Sequence, residues 1–230
     1  MNKTLKTIIS LVLLCCICGL VYLIYDSIMQ PVRFNKEQAA REKVAIQQLK
    51  DIRDLQVAYK SVNNRYTASF DTLKQFYKEG QMSVLMQIGS LDDSVAVAHT
   101  NAIRKANRKI TDAGLFELYK AGDKNLVFSI QNKIAVKDTL FRSRDNFSIE
   151  NIDIIPFTDG QKIEMDASVK KVSGVDVPLF EAKLPYKALL NGLDNQLRIN
   201  LDADRREQGR YEGLQVGSIS APNNNAGNWE

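Results

Sequence analysis

Thr7–Tyr25, TIISLVLLCCICGLVYLIY, carries no charge, and Ile8, Ile9, Leu11, Val12, Leu13, Leu14, Ile17, Leu20, Val21, Leu23 and Ile24 dominate it. A helix needs about 20 mostly apolar residues to cross the hydrocarbon core of a bilayer, so this run reads as a transmembrane segment. Tyr22 and Tyr25 fall at one end, where amphipathic rings prefer the headgroup region. Lys3 and Lys6 precede the run as they would in a secretory signal, but the run is long and no small-residue cleavage site follows. A retained signal anchor is expected. The competing readings are a cleaved signal and a lipoprotein signal at Leu13-Leu14-Cys15-Cys16, where Cys15 fills a place that favours Gly, Ala or Ser.

Positive charge is retained on the cytoplasmic side of a span, so Lys3 and Lys6 favour an inside N-terminus. Arg33, Lys36, Arg41 and Lys43 follow the span, but Asp26 comes first and Glu37 and Glu42 dilute them. Residues 32–230 are therefore expected outside. All three cysteines, Cys15, Cys16 and Cys18, lie within the apolar run, so the remainder can form neither disulfides nor cysteine metal sites.

Of 230 residues, 44% are hydrophobic and 25% charged, values of an ordinary globular chain. Wholesale disorder, collagen-like repeats and a disulfide scaffold are excluded. One histidine excludes a His-rich metal centre, and a net charge of +4 spread along the chain does not call for nucleic acid. No cofactor, metal or nucleic acid is expected as a partner.

Beyond Pro31, which should bend the chain or start a helix, residues 35–61 contain neither Gly nor Pro. The apolar positions Ile46, Leu49, Ile52, Leu55, Tyr59, Val62 and Tyr66 recur every three or four residues, the helical period. The part before Val44 is nearly all polar and should stand free as a stalk, with Glu37 and Arg41 as an i,i+4 pair. The stripe Ile46, Leu49, Ile52, Leu55 and Tyr59 either docks on the chain's own sheet or serves a partner helix. Asn63-Asn64-Arg65-Tyr66-Thr67 breaks the helix, and a short one follows over 69–78, capped by Ser69. Residues 83–88 suit a strand, and 91–122 read as helix followed by a second short helix or turn. Residues 127–130 and 134–136 look extended. From Phe147 the texture turns to β, with alternation over 147–157, 162–172, 175–185 and 196–201 and a helical turn at 186–193. Residues 213–230, rich in Gly and Asn, should be largely a surface coil, with Trp229 either pinned or loose.

The fold expected is α+β: an N-terminal transmembrane helix (1–30) continuing into a stalk helix (31–66), then a small domain with a mainly antiparallel sheet (67–212), then the tail (213–230).

That layout, and the text LKDIRDLQVAYKSVNNRYTASFDTLKQF over 49–76, resembles type IV pilins and type II secretion pseudopilins, in which a helix with Tyr near its last turn runs into an N-x-R-Y loop. Thr67 stands where Pro is usual there, and no Gly-Phe-type cleavage site precedes the apolar run. The chain as a whole, including AGNWE at 226–230, resembles uncharacterised single-pass membrane proteins of Bacteroidetes-type bacteria. The resemblance implies a Gram-negative envelope, an anchor in the inner membrane and a periplasmic domain. In that setting Asp71-Thr72-Leu73, Asp93-Ser94-Val95 and Asp138-Thr139-Leu140 resemble a D-[S/T]-aliphatic O-glycosylation motif, with Thr72, Ser94 and Thr139 as acceptors; ordinary caps and turns are the plainer reading.

Signals for chemistry are sparse. No nucleophile elbow, phosphate-binding loop or H-E-x-x-H is present. His99 has no His or Cys near it and reads as an ordinary structural or surface histidine. Asp202-Ala203-Asp204 is followed by Arg205-Arg206, which would repel a cation, and reads as a solvated strand end. The basic run 104–109 lacks interleaved aromatics and reads as a solvated helix face. Asp153, Glu164 and Asp166 are the carboxylates on which an envelope-polymer-acting enzyme would have to rely. The reading favoured is a non-enzymatic envelope protein that binds other envelope proteins or itself, pseudopilin-like or as a scaffold.

Overall fold

The computed structural model describes residues 3–144 and 147–230, with side chains from Leu11 onward, so the Lys3, Lys6, Ile8 and Ile9 side chains lie outside what it describes. Helix α1, Lys3–Asn63, is continuous. Its run from Leu11 through Tyr25 is exposed throughout, and among the described residues it is the one helix long and apolar enough to cross a membrane. Pro31 does not start a helix: α1 passes through it, giving up the one bond that the missing N–H would make.

After α1 come α2 (Phe70–Glu79), β1 (Gln81–Ile88), α3 (Ser94–Ala106), α4 (Asp112–Lys120), β2 (Phe128–Ala135), α5 (Val136–Thr139), β3 (Glu164–Val172), β4 (Val175–Pro185), α6 (Tyr186–Leu189), α7 (Asn195–Glu207) and β5 (Gly213–Gly217). The chain divides into two compact units, one of residues 1–54, 66–70 and 150–230, the other of 55–65 and 71–149.

The first unit is built on the antiparallel sheet β3-β4-β5. Ser173 and Gly174, at φ 51° and 85°, make the two-residue turn between β3 and β4, the left-handed pair that matches the strand twist. β4 is the central strand, with Leu179, Phe180, Ala182 and Leu184 buried, and the Phe180 ring lies 4.8 Å from that of Tyr66. Pro178 is tolerated in β4 because β5 pairs only with residues 181–185.

On α1 the stalk is not free up to Val44 as expected. Phe34 is buried, and Arg41 donates to the carbonyls of Leu189 and Asn191 at 3.0 and 2.9 Å while pairing with Glu37 at 3.2 Å. A polar stretch can pack when its polar groups find partners, and a guanidinium suits orphan carbonyls at the end of a short helix.

Two expected strands are absent. Residues 147–157 form a 3-10 turn at Ile149–Asn151 followed by loop, with a single bridge between Ile154 and Lys162. The buried residues there, Ile149, Ile152 and Ile155, recur every three, which is a 3-10 period and not a strand's. Gln48 Nε2 reaches the carbonyls of Asn151, Ile152 and Ile154 at 3.2, 2.9 and 2.7 Å. Residues 196–201 are not a strand but the start of α7. Asp194 caps it by accepting from the Leu197 N–H at 2.9 Å, and the i,i+4 pairs Gln196–Asn200 and Arg198–Asp202 hold its first turns.

Beyond β5 the tail is turn and coil, as expected, but its residues 226–228 return along the free edge of that strand: Gly217 N–H bonds the Ala226 carbonyl at 3.0 Å and Asn228 N–H the Gln215 carbonyl at 2.9 Å. Arg53 pairs with Glu230 at 2.7 Å, and Trp229 is half-buried with its ring against Gly227.

The second unit pairs β1 with β2 in antiparallel register from Gln81↔Ala135 to Ile88↔Phe128. The two extended segments expected at 127–130 and 134–136 are thus one strand. Ile88, Leu115, Leu126 and Phe128 form its core, with Ile103, Ile110, Phe116, Tyr119 and Ile130 packed around them. Asp93 caps α3, accepting from Val95 and Ala96 N–H, and Thr111 caps α4. Tyr59 meets Phe76 edge-on at 5.3 Å.

Candidate functional site

The helical stripe proposed for a partner is turned inward. Leu49, Ile52 and Leu55 have no exposed surface, Tyr59 is buried and Ile46 is half-buried. Of the glycosylation candidates, Ser94 is exposed as the first residue of α3 and Thr139 exposed at the end of α5, whereas Thr72 is half-buried on α2. His99 is exposed, its Nε2 2.8 Å from Asp123 Oδ2, and that bond holds the Asp123 carboxyl below the usual carboxylate range. In the basic run, Arg104 pairs with Asp112 at 2.7 Å, and Lys105, Arg108 and Lys109 are exposed. Asp153 is buried and paired with Lys162 at 3.1 Å, while Glu164 and Asp166 are exposed on β3.

Asp202-Ala203-Asp204 is not the solvated strand end expected, and here the structure differs most. Asp202 lies on α7 and is buried, its Oδ2 2.6 Å from Arg198. Its Oδ1 has no partner among the described residues, and burial, opposed by Arg198, holds its carboxyl above the usual range.

These residues belong to a groove in the first unit where three segments converge. One wall is a stripe of α7 comprising Arg198, Asp202 and Arg206, positions four apart and so on one face. The link before β5, Arg210, Tyr211 and Glu212, forms the second, and the corner after β4, Pro185 and Lys187, the third. The Tyr186 N–H bonds the Glu212 carbonyl at 3.0 Å and fastens corner to link. The upper lobe measures about 690 Å³. Arg206 pairs with Glu212 at 2.6 Å, which holds the Glu212 carboxyl low, while burial, aided by the nearby carboxylates of Glu164 and Glu212, pushes the Tyr211 hydroxyl up to about 12. A lower lobe of about 520 Å³ shares Pro185, Lys187 and Arg198 and adds Gln161, Asn191 and Asn195. The four cations of the groove, Lys187, Arg198, Arg206 and Arg210, face two carboxylates, Asp202 and Glu212.

Sequence reasoning missed this groove. Reading 196–201 as a strand ended the element at Leu201 and left Asp202 and Arg206 outside it, whereas α7 runs on to Glu207 and carries 198, 202 and 206 on one face. A group that could bind metal, three or more His, Cys, Asp or Glu together, does not occur among the described residues. No protein-family model, curated protein or solved structure matches this chain.

Proposed function

We propose that this is a single-pass membrane protein of a Gram-negative envelope, anchored in the inner membrane by the apolar half of α1, that works in the periplasm by binding another polypeptide. Two features support the anchor: the exposure of α1 from Leu11 through Tyr25, and its burial against the first unit from Phe34 on. Lys3 and Lys6 support the outward orientation.

The observation that carries the binding role is the asymmetry of the three-stranded sheet. The edge of β5 is closed by residues 226–228, whereas β3 is an edge strand, with Val169 exposed on it and Val172 and Val175 exposed beside the turn to β4. An open edge strand with apolar side chains is the surface to which an extended peptide adds as a further strand. The exposed face of α1, with Val44, is the second surface, and it serves the pilin-like form in which copies pack side by side.

The test uses a full-length chain with Cys15, Cys16 and Cys18 replaced by Ala and one cysteine introduced at Val169 or at Val44, crosslinked in cells. Crosslinks from Val169 to one foreign protein identify a scaffold and its partner, and a ladder of homo-oligomers from Val44 identifies self-assembly. Labelling by an impermeant thiol reagent with no crosslink from either position overturns the binding role. Labelling by a permeant reagent alone overturns the orientation.

A further inference from the structure

The lower lobe of the groove lies at the membrane end of the first unit. Gln30 Nε2 donates to Asp194 Oδ2 at 2.5 Å, which ties the N-cap of α7 to the residues just past the apolar run of α1. Asp26 is the first charge after that run, so Gln30 stands about 6 Å beyond it along the helix. That is the depth of the headgroup layer, roughly 5–7 Å on each side of the hydrocarbon. At the other end of α7 the link to α1 runs through Tyr186. Arg205 lies 4.9 Å over the Tyr186 ring, and Tyr186 faces the Glu42 carboxylate. Gln30 to Glu42 on α1 and Asp194 to Arg205 on α7 are both rises of about 16–18 Å.

The chemistry of the lobe is one-sided. Lys187, Arg198, Gln161, Asn191 and Asn195 line it, with Pro185 and Ala188, and no carboxylate does. Arg198 is already positioned by Asp202 and Asn195, at 2.6 and 2.9 Å. The Lys187 ammonium and the Gln161 and Asn191 side-chain amides have no partner among the described residues. Two cations and several amide donors around a cavity with no fixed anion match an oxyanion, and a phosphate ester above all.

We propose that this lobe holds the phosphate of an anionic lipid headgroup and so docks the base of the first unit on the bilayer that α1 crosses. The choice of a lipid as the source rests on the membrane-anchored reading; affinity for a phosphate ester rests on the lobe alone.

The test is native mass spectrometry of the full-length protein in detergent with added phosphatidylglycerol or phosphatidylcholine, and calorimetric titration of the same sample with glycerol 3-phosphate. The comparison variant is Lys187→Glu, an exposed and unpaired position whose replacement leaves the Arg198–Asp202 pair in place. The expected result is a phosphatidylglycerol adduct whose occupancy falls about tenfold in the variant, the effect of about 1.4 kcal/mol in affinity. If glycerol 3-phosphate does not bind, the lipid is the source; if it binds and the variant loses it, the lobe takes phosphate esters from solution as well. Equal adducts with both lipids, or adducts unchanged by Lys187→Glu with no glycerol 3-phosphate binding, overturn the proposal. Failure of the anchor reading shows itself separately, as release of the chain from membranes by alkaline carbonate.

Discussion

Single side chains in this protein satisfy backbone groups that regular structure leaves open. Gln48 is the plainest case, its amide donating to the carbonyls of Asn151, Ile152 and Ile154. Gln48→Ala should cost about 2 kcal/mol, the penalty for half-buried carbonyls left without a donor, read as a lower thermal midpoint and faster hydrogen exchange over 149–155. Gln48→Glu should be worse at neutral pH, because a carboxylate would face the same carbonyl oxygens. That crowding raises the folded-state pKa of the new group, so its penalty is absent at low pH and appears as pH rises through that pKa; the midpoint should recover on acidification. Gly227 is a second case, since a Cβ there would overlap the Trp229 ring. Trp229 is the sole tryptophan. Gly227→Ala should shift its emission to the red and raise quenching by iodide, while a chain that keeps the wild-type spectrum would show that the ring is not held against residue 227.

Among the elements, α7 runs from Asp194, tied to Gln30 of α1, along one wall of the groove, and its start depends on Asp194. Asp194→Ala should lower the unfolding midpoint by removing the cap on Leu197 N–H and the tie to Gln30, and Asp194→Asn should restore most of it. The backbone bond from Leu197 holds the Asp194 carboxyl below the usual range. A depressed carboxylate contributes stability that is present above its unfolded pKa and lost as pH falls through the folded one, so the gap between wild type and Asp194→Ala should begin to narrow as pH falls below about 4 and close only below the depressed folded pKa. The sequence made some elements legible and hid others for physical reasons. α1 was readable because 27 residues without Gly or Pro, at helical spacing, admit one interpretation. The β3–β4 turn was readable from Ser173-Gly174. QLRINL at 196–201 fits either period over so short a window, and the cap on Leu197 and the i,i+4 pairs settle it as helix. Asn151, Ile152 and Ile154 are held through their carbonyls by a side chain about a hundred residues away, which no local pattern reports. The groove was lost with α7.

At the scale of the whole molecule, the exposed stretch of α1 leads to the prediction that full-length protein stays in the pellet when membranes are washed with alkaline carbonate, and that replacing Leu13 and Leu20 by Arg releases it. Retention of that double variant would show that something other than α1 holds the chain. The division into units has a further consequence, which concerns order in time. Residues 71–149 are enclosed in sequence by the first unit, and their β1–β2 pairing and core use nothing made later than Ile149. The first unit, by contrast, draws on residue 34 and on residues 226–230 at once. During synthesis the inner segment has all its parts long before the surrounding one does. The edge of β4 facing β5 therefore stays open until the ribosome has finished residues 213–228, and a chain stalled or clipped before that point would carry a second unsealed strand, fit to pair with whatever polypeptide it meets first.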